Sequence, residues 1–170
     1  MYTGIEFFTA TCLHCQHLLA DDKHKDIVVN SLKFLVNDGR IDLYGFVIMP
    51  NHMYILWCKK EEWLDKSVHQ HFLKFTAQKI KFNLLANSTQ YLVNYKSTQS
   101  DRQYHFWERR PFKATMNNRA VLEQKLDYIH YNPVKAELCI LPEDYLYSSA
   151  AYYFTGTDKW EMLTHYMEHI

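Results

Sequence analysis

Two short stretches of this chain hold residue types that can do chemistry at spacings that bring them together. In Asp127-Tyr128-Ile129-His130-Tyr131-Asn132-Pro133-Val134-Lys135, a tyrosine and an amide stand four residues apart near the end of a helical pattern, so both face one side. In Met49-Pro50-Asn51-His52-Met53-Tyr54, a histidine opens an apolar strand, where a ring nitrogen can leave the core and hold a metal. Tyr54, two residues on, projects to the same face as His52. A tyrosine oxygen becomes a nucleophile once a cation favours its phenolate. Each of these residues also has an ordinary structural reading. The chain has 13 tyrosines, so any one of them is first a core residue on an amphipathic element. Asn132 before Pro133 is first a helix C-cap, and a lone histidine is first a structural one.

The context of the two stretches resembles the single-tyrosine transposases of the HUH class, named for a His-hydrophobic-His metal motif, and in particular the REP-associated tyrosine transposases. Asp127-Tyr128-Ile129 followed by Asn132-Pro133-Val134-Lys135 is similar to the nucleophile helix of that family. Val47-Ile48-Met49-Pro50-Asn51-His52-Met53 and Ile55-Leu56-Trp57 are similar to the strand that bears its metal motif, and His105-Phe106-Trp107-Glu108 to the segment that precedes its nucleophile helix. The resemblance covers residue 5 to about residue 150. It implies Tyr128 as the nucleophile, with His52 and Asn132 holding Mg²⁺ or Mn²⁺. At one position the chain departs from the family: Tyr54 stands where the second histidine belongs. A neutral phenol is a poor ligand for these ions, so the departure bears on catalytic competence rather than on fold.

Charge distribution adds a second signal. Net charge is zero, yet residues 69–135 carry 11 Lys/Arg against 4 Asp/Glu, and residues 136–170 carry 1 against 6. A basic block in a neutral protein fits a phosphate-binding face. Arg109, Arg110, Lys113, Lys74 and Lys135 are its candidate DNA contacts, and the planar forks of the two arginines suit phosphate best. Cys12-Leu13-His14-Cys15-Gln16-His17 is dense in zinc-binding types. Its ligands would crowd one ion, however, and no second pair appears elsewhere.

The elements that must position these residues can be read from periodicity. Ile5 to Leu13 alternates as a strand. A helix begins at Asp21-Asp22 and stops at Asp38-Gly39, and residues 40–59 form a hairpin turning at Pro50-Asn51. Glu61 to Leu85 reads as one long helix, Asn87 to Arg102 as a mobile polar loop, and His105 to Met116 as an edge strand broken at Pro111. A helix from Arg119 closes at Tyr131. This order predicts an α+β fold: a ferredoxin-like antiparallel sheet of four or five strands, helices on one side, and a nucleophile-bearing C-terminal helix. One domain over 1–150 is expected, with 151–170 a tail packed on it or extending from it.

Several classes are excluded or disfavoured. No apolar run is long enough to span a membrane, the start of the chain lacks the pattern of a signal peptide, and the four cysteines form no secreted disulfide framework. A reduced cytoplasmic protein is expected. The function implied is metal-assisted cleavage and rejoining of single-stranded or hairpin DNA through a 5′-phosphotyrosine, with a homodimer left open. The competing reading is a DNA-binding module on the same fold whose nuclease has decayed. An RNA-binding domain of similar topology finds no aromatic strand pattern to support it.

Overall fold

The computed structural model describes residues 4–169; Met1–Thr3, part of the stretch read for a leader, and Ile170 lie outside the described residues. Four strands, β1 (Ile5–Thr11), β2 (Ile41–Ile48), β3 (His52–Lys59) and β4 (Phe112–Thr115), form one sheet in the order β2-β3-β1-β4. Every neighbouring pair is antiparallel. Helices α1 (Asp22–Asn37) and α2 (Val68–Asn87) cover one face, α3 (Arg119–Lys135) covers the other, and a short α4 (Ala150–Thr155) follows.

Strand alternation sorts the side chains between the two faces. Met53, Ile55 and Trp57 of β3 join the core under α1 and α2. His52, Tyr54 and Leu56 project to the α3 side, as the sequence requires. A bulge in β2 between Leu43 and Gly45 turns Tyr44 and Gly45 together toward α3. A Cβ at Gly45 would lie 2.7 Å from Leu126 Cδ2, so the missing side chain is what lets α3 sit this close to the sheet.

The expected boundaries shift in four places. The long helix begins at Val68; its expected first turn is a 3-10 turn at Glu61–Trp63, and Lys59 Nζ then bonds the carbonyls of Leu64 and Lys66. The expected loop after α2 contains a 3-10 helix over Thr89–Tyr95 that buries Leu92 and Tyr95. β4 keeps only four residues of the expected strand and is an edge; before it, Trp107 makes an isolated bridge to Cys12. Finally, α3 does not close at Tyr131. It runs through Pro133 to Lys135, capped at Ala136: the proline is buried, and the next turn still forms through Ala136 N–H to Asn132 O.

Residues beyond α3 tie down the outer edge of β2. Ile48 N–H donates to Tyr147 O, Ser149 N–H to Phe46 O, and Thr164 N–H to Leu43 O. The tyrosine hydroxyls do the same: Tyr145 to Ile48 O at 2.8 Å and Tyr153 to Tyr44 O at 2.7 Å. Residues 151–169 thus pack on the sheet and α3, with Tyr166 donating to Glu123 of α3. Among the described residues, no helix is long and apolar enough to cross a membrane.

Candidate active site

The site forms where the first residues of β3 meet the last two turns of α3. His52 is placed by the Pro50-Asn51 turn, which the Cys12–Leu19 segment holds through Cys12 N–H to Asn51 O and Leu19 N–H to Pro50 O. The Asn51 amide donates to Cys15 O at 3.4 Å, which turns its carbonyl oxygen toward His52. His52 Nδ1 lies 2.6 Å from that oxygen, so Nδ1 carries the proton and Nε2 keeps its lone pair. This is the arrangement by which an outer partner fixes the tautomer of a metal-binding imidazole.

Nε2 is buried and has no hydrogen-bond partner. Burial pushes the His52 pKa down, which keeps the ring neutral. The Asn132 side chain lies beside both His52 and Tyr54, near enough to oppose the His52 shift without giving Nε2 an aligned hydrogen bond. A buried, orphaned ring nitrogen is an unmet polar atom that a cation would satisfy.

Helix continuation through Pro133 decides how Asn132 can be used. It is an interior helical residue and not a C-cap, so its amide is free for the site. Tyr128, one turn earlier, presents its hydroxyl 3.1 Å from the Tyr54 hydroxyl. The rings of His52 and Tyr54 lie 4.8 Å apart, and those of Tyr54 and Tyr128 5.1 Å apart. Tyr54 also stacks on Phe7 of β1 at 5.6 Å. Burial holds the Tyr54 hydroxyl well above the usual phenol range, and the hydrogen bond to Tyr128 adds to this, so Tyr54 is neutral. Tyr128 is 40% exposed and therefore open to a substrate, whereas Ile129 and His130 beside it are buried.

Two cations flank the Tyr128 ring. The ammonium groups of Lys125 and Lys135 each stand 5.8 Å from its centroid, and Lys125 also lies 4.9 Å over the Phe7 ring. Lys135 was an expected DNA contact. Lys125 belongs to the same basic block, and its place three residues before Tyr128 puts it on the same helical stripe. The remaining candidates lie elsewhere. Lys113 pairs across the sheet with Phe8, so it faces the α2 side, as Lys74 does. Arg109 and Arg110 lie in the segment between these faces, just before β4. The basic block is thus split into a small patch at Tyr128 and a larger one behind the sheet.

The cysteine–histidine segment does not assemble a zinc site. Cys12 is in the core with its thiol pushed up to about 12 by burial, and Cys15 is exposed. Among the described residues, no three His, Cys, Asp or Glu side chains converge to hold a metal.

No family model and no curated protein matches this sequence. Solved structures do. A REP-associated tyrosine transposase bound to a REP hairpin superposes with a TM-score of 0.63 at 17% identity, over 95% of this chain and 86% of that one. A protein from Deinococcus radiodurans R1 described as a candidate transposase covers 74% of this chain at 14% identity, with a TM-score of 0.43. This chain shares its fold with a tyrosine transposase.

Proposed function

We propose that the chain cleaves and rejoins single-stranded or hairpin DNA with Tyr128 as nucleophile. The observation that carries this reading is the convergence, at a site open to solvent at Tyr128, of the Tyr128 hydroxyl, the Tyr54 hydroxyl 3.1 Å away, the Asn132 amide and the buried, orphaned His52 Nε2. The transposase fold supports it, and the neighbour's complex with a REP hairpin supports hairpin DNA as the substrate class.

In this reaction the Tyr128 oxygen bonds to phosphorus and the bond from phosphorus to the 3′ oxygen breaks. The phenol gives up its proton and the leaving 3′ oxygen gains one, so charge and protons balance. The DNA remains attached as a 5′-phosphotyrosine, and attack by a 3′-hydroxyl reverses the step. Tyr54 donates its hydrogen bond to the Tyr128 oxygen and steadies it as charge develops. Lys125 and Lys135 neutralise the phosphate on either side. His52 through Nε2 and Asn132 through its side-chain oxygen would hold Mg²⁺ or Mn²⁺. When bound, that ion would polarise the phosphate and lower the cost of the leaving oxygen.

A second reading is favoured by one specific observation. Tyr54 fills the second-ligand position with a neutral phenol hydrogen-bonded to the nucleophile itself. A two-donor site binds metal weakly, and a protein so changed would keep DNA binding and lose cleavage. Incubation with a labelled hairpin and Mn²⁺, followed by a denaturing gel, separates the two: an adduct supports cleavage, and binding without an adduct supports the decayed binder.

A further inference from the structure

On the face of the sheet opposite Tyr128, a cleft of about 740 Å³ runs between α2 and the 101–111 segment. Lys74 and Lys81 line it from α2, and Arg102, Arg109 and Arg110 from the other wall. Its carboxylates are already engaged. Asp101 pairs with Arg102 at 2.9 Å, and Glu108 accepts from the His14 backbone N–H at 2.6 Å. Lys74, Lys81, Arg109 and Arg110 pair with no carboxylate among the described residues. Arg110 is held at φ 61°, a left-handed conformation that costs a side chain other than glycine some energy. Five cations face two carboxylates in one groove, and with the Tyr104 ring under Lys81 at 5.5 Å they make a track for a chain of phosphates.

The wall of the groove ends at Pro111, which leads directly into the edge strand β4. Among the described residues, no further strand covers β4. Lys113 points to the α2 face, and Phe112 beside it is 57% exposed on the Tyr128 face, edge-on to Phe7 at 6.4 Å. A cation and an exposed ring therefore mark the passage between the two patches, and an exposed ring is the element that holds an unpaired base by stacking.

We propose that this cleft is a second DNA site, which grips the single-stranded flank of the substrate after it turns over Phe112 at the β4 edge. The occupant is single-stranded DNA because the groove offers cations for the backbone, the partly exposed Tyr104 ring for stacking, and the amides of Gln70, Gln78 and Gln103 for the edges of unpaired bases. The proposal rests on the DNA-processing reading, but it is tested by binding alone.

The probe is fluorescein-labelled oligo(dT) of 20 nucleotides, titrated from 50 to 200 mM salt. Wild type and Lys74→Gln/Lys81→Gln are compared, with Phe112→Ala measured separately; Lys74 is exposed and Lys81 half-buried, so the fold should tolerate both changes. The lysine pair should weaken binding roughly tenfold at the lower salt and reduce the salt slope by about 1.4, since each single-strand phosphate contact contributes about 0.7. Phe112→Ala should weaken binding several-fold and leave the slope unchanged. Unaltered affinity and slope in the lysine pair would overturn the second site, as would a wild type that does not bind oligo(dT). Adduct formation on a hairpin is scored independently in the same variants: a lost adduct in wild type refutes the cleavage reading, while the binding result still decides the groove.

Discussion

The hydroxyl of Tyr54, on the strand that carries His52, lies 3.1 Å from the hydroxyl of Tyr128 on the facing helix. One residue stands where the resemblance implies a metal ligand, and the other is the residue it implies as nucleophile. Their contact means that the departure from the family pattern touches the proposed nucleophile directly, and not only a proposed ligand position. Because burial keeps Tyr54 protonated, it is the donor when Tyr128 carries negative charge.

Substitutions at Tyr54 follow from this pair. Tyr54→Phe removes the donor and leaves the ring stacked on Phe7, so adduct formation should slow roughly a hundredfold to a thousandfold with DNA affinity unchanged, the range seen for loss of one preorganised donor. Tyr54→His places an imidazole two residues from His52 and should raise metal affinity, read by Mn²⁺ titration against binding or cleavage. A Tyr54→His protein with no gain in metal affinity would argue that His52 and Asn132 do not form a metal site.

Gly45 tests how α3 is seated. Gly45→Ala puts a methyl carbon 2.7 Å from the buried Leu126 and should cost about 1–3 kcal/mol, as overpacking does. Urea denaturation measures it. Leu126→Ala in the same chain should recover part of the loss, a non-additivity that a purely conformational effect at Gly45 would not show.

His130 links stability to pH. Burial against Ser149 lowers its pKa from 6.5 to about 4, with Nε2 2.8 Å from the Ser149 hydroxyl. The unfolded chain therefore binds a proton that the folded chain refuses. Stability is full above about pH 6.5 and declines as pH falls toward 4, by about 3 kcal/mol at most. Denaturant midpoints at pH 7 and pH 4.5 should converge in His130→Gln relative to wild type. An equal pH dependence in both proteins would place the titration elsewhere.

Much of the frame is legible in the sequence because short-range chemistry decides it. Pro50-Asn51 between two apolar runs makes the hairpin, and strand alternation then puts His52 and Tyr54 on one face. Asp21 caps α1, accepting from Lys23 N–H, and Asp38-Gly39 ends it. Pro133 misleads, because a proline removes one helical hydrogen bond and tertiary burial can repay it. That one boundary turns Asn132 from a cap into an interior helical residue whose side chain lies beside His52 and Tyr54. The start of α2 follows a turn that Lys59 closes on the carbonyls of Leu64 and Lys66, and the extent of β4 follows the long-range bridge of Trp107 to Cys12; hydropathy periodicity shows neither. The split of the basic block is likewise tertiary: Lys113 and Lys135 are close in sequence and lie on opposite faces of the sheet.

Covalent capture followed by peptide mapping tests the central claim most directly. A hairpin oligonucleotide with single-stranded flanks is incubated with the protein and Mn²⁺, the adduct is digested, and the modified peptide is sequenced by mass spectrometry. The account predicts a 5′-phosphonucleotide on Tyr128, absent in Tyr128→Phe while hairpin affinity is kept, because only the attacking oxygen is removed. Attachment at Tyr131, which is equally exposed on the same helix, or cleavage that survives Tyr128→Phe, would contradict it.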